Sequence, residues 1–155
     1  MSFDNVPGVV IDHMPASTGC YLGSPSVAIL PNGTYLASRD KFGPASSSDT
    51  ATVFASEDRG VSWREIGDVT SAFWSNLFVH RGEVYLMGAN RRFGGIVIRR
   101  SSDGGASWSD PESGSTGLLR TDGEYHTAPM PIVEHSGRLW RAFEDMYPLR
   151  EWAKN

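Results

Sequence analysis

Ser56-Glu57-Asp58-Arg59-Gly60-Val61-Ser62-Trp63 recurs as Ser101-Ser102-Asp103-Gly104-Gly105-Ala106-Ser107-Trp108, with Asp58 and Asp103 45 residues apart. Both copies fit S-x-D-x-G-x-x-W, a pattern that ordinary residue usage produces on the order of 10⁻⁵ times per position. Two matches one repeat apart mark a duplicated structural unit. Ser56 and Asp58, like Ser101 and Asp103, are suited to accept backbone N–H bonds and hold a tight turn. Gly60 and Gly105 supply the positive φ of that turn. Trp63 and Trp108 open the next strand and pack inward.

Outward from the two octapeptides, three strand–turn–strand signatures appear. Residues 26–30 and 34–38 flank Pro31-Asn32-Gly33, residues 76–80 and 84–88 flank Arg81-Gly82-Glu83, and residues 130–134 and 138–143 flank His135-Ser136-Gly137. Tyr35, Tyr85 and Trp140 mark the same place in each, at steps of 50 and 55 residues. After each of the first two hairpins come a third strand (52–55, 96–99), the octapeptide and a fourth strand opening at Trp63 or Trp108. Four strands per unit at this period is a propeller blade.

The expected fold is therefore all-β, a β-propeller of four-stranded antiparallel blades, with about two and a half blades present. Residues 1–20 form an N-terminal segment whose Val9-Val10-Ile11 run is the candidate ring-closing strand. Residues 21–67 are blade one, 68–112 blade two and 113–155 an incomplete blade three. An open stack leaves unpaired edges. The expectation is a piece of a longer ring, with self-association through the open blade edges as the alternative.

Composition narrows the function classes. The net charge is −4 with both signs mixed, so no nucleic-acid partner and no polybasic membrane surface is expected. No run approaches 18 apolar residues, and the start lacks a basic, then apolar, leader. As given the chain reads as cytoplasmic, with a periplasmic or secreted parent left open. The single Cys20 excludes an intrachain disulfide. No ligand spacing suggests a metal, no cofactor is expected, and there is no phosphate-binding loop or nucleophile elbow.

Antiparallel strands place the start of strand one and the end of strand two on one rim. Strand three runs back, so both octapeptides fall on the opposite rim and are structural. The first rim gathers Arg39 and Asp40 from blade one, Trp74, Asn90 and Arg91 from blade two, and Tyr125, His126, Glu144 and Asp145 from blade three. The loop of residues 43–49 is expected to be flexible and to cover part of the opening. Such a set suits an anionic or hydroxyl-rich sugar. Arginine forks a carboxylate, aromatic rings stack on a sugar face, and carboxylates carry acid–base steps. Ordinary roles remain open to each: an ion pair for Arg39 and Asp40, core packing for His126 and Trp74, solvated chain for Arg91, Glu144 and Asp145.

The paired octapeptides and the blade rhythm resemble the Asp box, or bacterial neuraminidase repeat, of sialidase-like β-propellers, across nearly the whole chain. The resemblance implies a ring of roughly six or seven blades that acts on or binds a glycan. Leu22-Gly23-Ser24-Pro25 stands where the family carries [FY]-R-I-P. Gly23 there replaces the first arginine of the family's triad, which argues against true sialidase activity. Asp40, with Asp49 second, matches the family's acid/base aspartate, and the family's tyrosine nucleophile with its glutamate partner would lie beyond Asn155. Gly23-Ser24-Pro25-Ser26, Ser38-Arg39-Asp40-Lys41-Phe42-Gly43-Pro44 and Tyr125-His126-Thr127-Ala128-Pro129 resemble bacterial members linked with polysaccharide breakdown, as glycosidases or lyases. In such a site, by their shared rim position, Asp40 or Glu144 would be the acid, Arg39 or Arg91 the carboxylate clamp, and His126 a base or orienting group. A non-catalytic glycan- or protein-binding propeller, or an inactive piece, stays open beside the hydrolase.

Overall fold

The computed structural model describes residues 7–128 and 130–147. Pro129 of the Tyr125–Pro129 motif, residues 1–6 of the N-terminal segment and residues 148–155 at the end of the third unit lie outside it. Two four-stranded antiparallel sheets make up most of the chain. The first runs β1 (Tyr21–Ile29), β2 (Tyr35–Phe42), β3 (Thr50–Ser56) and β4 (Arg64–Thr70), in consecutive order. The second runs β5 (Phe73–His80), β6 (Glu83–Ala89), β7 (Ile96–Ser101) and β8 (Leu118–Arg120). Two short antiparallel pairs follow: β9 (Tyr125–His126) with β12 (Glu144–Asp145), and β10 (Val133–His135) with β11 (Arg138–Trp140). A 3-10 turn at Ala16–Thr18 is the one helical element among the described residues. The fold is all-β, with two sheets of the four-stranded antiparallel topology of propeller blades.

The two sheets pack face to face. Leu36 on β2 and Val53 and Ala55 on β3 meet Leu77, Val84 and Leu86 of the second sheet in one buried cluster. Period-two alternation puts Leu36, Ser38 and Asp40 on the same face of β2, so the face that makes the core also carries a carboxylate. The second octapeptide packs into this interface. A Cβ on Gly105 would sit 3.2 Å from Leu36 Cδ1 and 3.3 Å from Ile66 Cδ1, and Trp108 packs on the cluster.

The octapeptide turns repeat atom for atom. Ser56 Oγ donates to Asp58 Oδ1 (2.7 Å) and accepts from the Gly60 N–H (2.7 Å), and the Ser62 N–H donates to Asp58 Oδ1 (2.8 Å). In the second turn the corresponding distances for Ser101, Asp103, Gly105 and Ser107 are 2.7, 2.8 and 2.9 Å. Each indole N–H closes the turn on the glycine carbonyl, Trp63 on Gly60 at 3.1 Å and Trp108 on Gly105 at 3.0 Å. These bonds to the ionised carboxylates hold Asp58 and Asp103 down at about 2. Tyr35 pairs with Ser56 and Val84 with Ser101, so both turns lie at the end of their sheet away from Asp40 and Ala89.

Two local expectations change. The fourth strand of the second sheet begins at Leu118, not Trp108. Pro111 has no N–H for a ladder, and Thr116 Oγ1 instead accepts the N–H groups of Glu112 and Ser113 at 2.9 and 2.8 Å, forming a loop before the strand. Val9-Val10-Ile11 lies outside the strands, and Val10 and Ile11 line a groove with Val27, Ala37 and Phe54 on the outer face of the first sheet. The third hairpin is only three residues per strand, with Pro131 just ahead of it.

Both inner strands carry a bulge at the same place. The register shifts between Gly23 and Ser26 in β1 and between Phe73 and Asn76 in β5. The first of the two residues inside each bulge is left-handed, Ser24 at φ 50° and Trp74 at φ 49°. Just past the bulges, Ser26 Oγ accepts the Leu77 N–H (2.9 Å) and Asn76 Oδ1 accepts the Met130 N–H (3.2 Å). Each unit thus grips the next through an equivalent polar side chain.

Candidate functional site

Asp40 ends the inward face of β2, opposite Gly23 in the ladder, and is only 2% exposed. Both bulges converge on its carboxylate. The Ser24 hydroxyl donates from its own sheet, and the Trp74 N–H donates from the neighbouring one at 2.5 Å. Burial drives this carboxyl from the ordinary 3.8 up to about 7, outweighing the pull of those two donors and of the Arg141 and Arg39 charges. At neutral pH Asp40 is therefore poised between its protonated and ionised forms.

A cleft of about 830 Å3 opens at this end of the two sheets, with Asp40, Ser24, Tyr21, Phe42, Trp74 and Arg92 in its walls. The 43–49 loop forms another side. As expected it borders the opening, and it is tied down there: Ser46 Oγ donates to the Lys41 carbonyl (2.9 Å), and the Ser48 and Asp49 carbonyls accept the N–H groups of Arg92 and Ala72 (both 2.9 Å). Asp49 is occupied by the Ser47 and Thr50 hydroxyls.

Trp74 connects Asp40 to the third unit. Its ring meets His126 edge-on at a centroid distance of 4.4 Å and Phe93 at 5.3 Å. His126 Nδ1 lies 2.7 Å from Glu144 Oε2, and the two are cross-strand partners in the β9–β12 pair. Asp40, Trp74, His126 and Glu144 thus form one contiguous chain of contacts.

The remaining expected residues are placed elsewhere or otherwise engaged. Arg39, next to Asp40 in sequence, points to the opposite face of β2. There it is ion-paired with Asp12 at 2.6 Å, beneath the N-terminal segment. Asn90 closes the β6–β7 turn, its Oδ1 accepting the Gly95 N–H at 2.9 Å. Arg91 is exposed and outside the cleft walls. The buried Tyr125 donates its hydroxyl to Asp122 at 2.9 Å, and Asp145 Oδ1 accepts the Tyr147 N–H at 3.0 Å. These last two brace the β9–β12 pair.

Arg141 was absent from the expected set. Its Nη2 donates to the Trp74 carbonyl at 2.8 Å, its Nη1 donates to the Met87 carbonyl, and its guanidinium lies 5.0 Å over the Phe143 ring. Burial lowers it to about 10, so it stays cationic at neutral pH. The signal was present as a lone charge inside Leu139-Trp140-Arg141-Ala142-Phe143. Among the described residues no cluster of His, Cys, Asp and Glu can hold a metal ion, and no helix is long and apolar enough to cross a membrane.

No family model matches the chain, and no curated protein matches it. Among solved structures it is similar to the α-L-arabinanase of Penicillium chrysogenum, solved with arabinobiose, at 24% identity and a TM-score of 0.48. An α-L-arabinofuranosidase of Fusarium graminearum bound to an iminosugar inhibitor aligns at 20% identity and a TM-score of 0.49. Each alignment covers 56% of this chain and 30% of the other, so the chain spans under a third of those enzymes' length.

Proposed function

We propose that this chain contributes the acid side of a glycoside hydrolase site in a carbohydrate-active propeller, with Asp40 as the general acid. The observation that supports this best is a buried carboxyl with a proton affinity near neutrality, set in the wall of an aromatic-lined cleft. A general acid works best when its pKa lies close to the working pH. Glycoside hydrolysis needs one such protonated carboxyl at the leaving oxygen and a second carboxylate beyond it.

In this reading a hydroxyl-rich or anionic sugar stacks on Trp74 and the aromatic rings of Tyr21 and Phe42, while the Arg92 charge at the cleft wall favours acidic units. Asp40 hands its proton to the glycosidic oxygen. Glu144, oriented by His126 on the far side of Trp74, is the candidate second carboxylate. Arg39 has no direct part, because its guanidinium serves the Asp12 pair on the other face.

The test is turnover of a panel of neutral and uronic-acid oligosaccharides by the native protein and by Asp40→Asn. Hydrolysis with an alkaline limb near pH 7, lost in Asp40→Asn, supports the acid role. Hydrolysis that survives the substitution refutes it. The aromatic lining also suits a binding module, which would hold the same sugars with equal affinity in both proteins and cleave none of them.

A further inference from the structure

We infer that Arg141 is a positioning residue for this site: it clamps Trp74 in a left-handed backbone conformation, so that the Trp74 N–H stays on the Asp40 carboxylate. The inference rests on the proposed role of Asp40 for its functional meaning, though not for its geometry.

Trp74 is the reason a clamp is needed. Left-handed φ is common for glycine and tolerated by asparagine, but it is an outlier for a bulky aromatic residue. Such conformations persist only where the surroundings over-determine them. Here two groups act on the two peptides that flank the residue. Asp40 accepts the N–H on one side at 2.5 Å, and Arg141 donates to the carbonyl on the other at 2.8 Å. The second arm of Arg141 takes the Met87 carbonyl of β6, across the ladder from the β5 bulge, since Met87 pairs with Asn76. One planar cation therefore ties both strands of the bulge, which a lysine with a single point charge cannot reproduce.

The same contact ties the site to the third unit. Arg141 follows β11 directly, and its neighbour Ala142 accepts the Thr127 hydroxyl at 3.1 Å, next to His126. The charged groups acting on Asp40 are Arg141 and Arg39, while His126 and Glu144 pair with each other at the edge of the Trp74 ring. Of these two cations Arg39 is held by Asp12 on the other face of β2, so Arg141 is the one that reaches Asp40 from the Trp74 side.

The experiment follows the Asp40 carboxyl by carbon NMR through a pH titration, together with hydrogen exchange at the Trp74 amide. It compares the native chain with Arg141→Met and Arg141→Lys. Arg141→Met should raise the Asp40 midpoint by about one pH unit, a tenfold change in proton affinity, and strip protection from the Trp74 amide. Arg141→Lys should keep most of the midpoint and still lose the amide protection, because the charge remains and the two-carbonyl grip does not. Lysine is the milder change, so it decides the matter if the methionine variant does not fold. Unchanged Trp74 protection in Arg141→Lys overturns the inference, as does an unchanged Asp40 midpoint in a folded Arg141→Met. Neither readout involves a sugar. A failed oligosaccharide screen would remove the hydrolase reading and leave the clamp standing.

Discussion

Replacing Asp40 with Asn isolates the cost of holding an ionised carboxylate in the sheet interface. The shape is kept: Asn Oδ1 can accept the Trp74 N–H, and Nδ2 can donate to the Ser24 hydroxyl. The sign runs opposite to that of most aspartates. The folded-state value of about 7 lies above the unfolded 3.8, so the native protein binds the proton more tightly than the unfolded chain. The contribution of Asp40 to stability is greatest below 3.8 and falls as pH rises toward 7, at about 1.4 kcal/mol per pH unit, with no further loss beyond. The whole window amounts to about 4 kcal/mol, a large part of the stability of a small domain. Groups that both proteins share cancel in the difference between them. Urea unfolding followed by tryptophan fluorescence, from about pH 4 to about pH 8, should give Asp40→Asn a growing advantage through that window and a plateau above it. Parallel curves for the two proteins would refute the buried, proton-hungry Asp40 and remove the main support for its acid role.

The other predictions concern the scaffold. Gly88→Ala would place a Cβ 2.4 Å from Ser75 Oγ and 2.5 Å from the Phe73 carbonyl, inside the bulge that carries Trp74. A loss of roughly 1–3 kcal/mol is expected, with a shifted Trp74 indole signal by NMR. Arg59 at φ 60° occupies the place that Gly104 takes at φ 74° in the second turn. Gly104→Arg should therefore cost about 1–2 kcal/mol in urea unfolding through backbone conformation, because the nearest atom, Leu30 Cδ1, is 3.6 Å from the new Cβ. Asp58 and Asp103, held at about 2, stabilise the fold fully above the unfolded 3.8 and lose that contribution as pH falls toward 2. The double variant Asp58→Asn/Asp103→Asn should show a flatter acid unfolding profile over that window than the native chain, measured by circular dichroism.

The octapeptide turns were legible because they are local. Every partner of Asp58 lies within four residues of it, so spacing alone specifies the geometry. Likewise the first two hairpins were legible from strand alternation and turn residues, and the core face follows from the same alternation. The position of β8 was not legible, since nothing at Trp108 announces the competing turn at Ser113 and Thr116. Arg39 and Asp40 were grouped by rim position. The same period-two rule that revealed the strand sends adjacent side chains to opposite faces, and only one of the two reaches the cleft.

What the sequence hid most fully is how one repeated position was put to two uses. Ser24 and Trp74 are 50 residues apart, as are Tyr35 and Tyr85, and both sit left-handed in a bulge. Asp40 and Asn90 stand at the same spacing, at the far end of the hairpins. In the second sheet Asn90 turns back to the Gly95 N–H and finishes a loop. In the first, Asp40 turns across the interface, taking the hydroxyl of its own bulge residue and the N–H of the neighbour's. Neither serine nor tryptophan signals positive φ, so no propensity argument finds the bulges. The partner of the β5 bulge, Arg141, lies 67 residues beyond the carbonyl it grips. The repeat therefore builds the four-stranded frame twice, while the candidate site lies where the two copies differ and the chain after them reaches in. It follows that the proposed acid role of Asp40 should respond to substitution of Arg141 as sharply as to substitutions beside Asp40 itself.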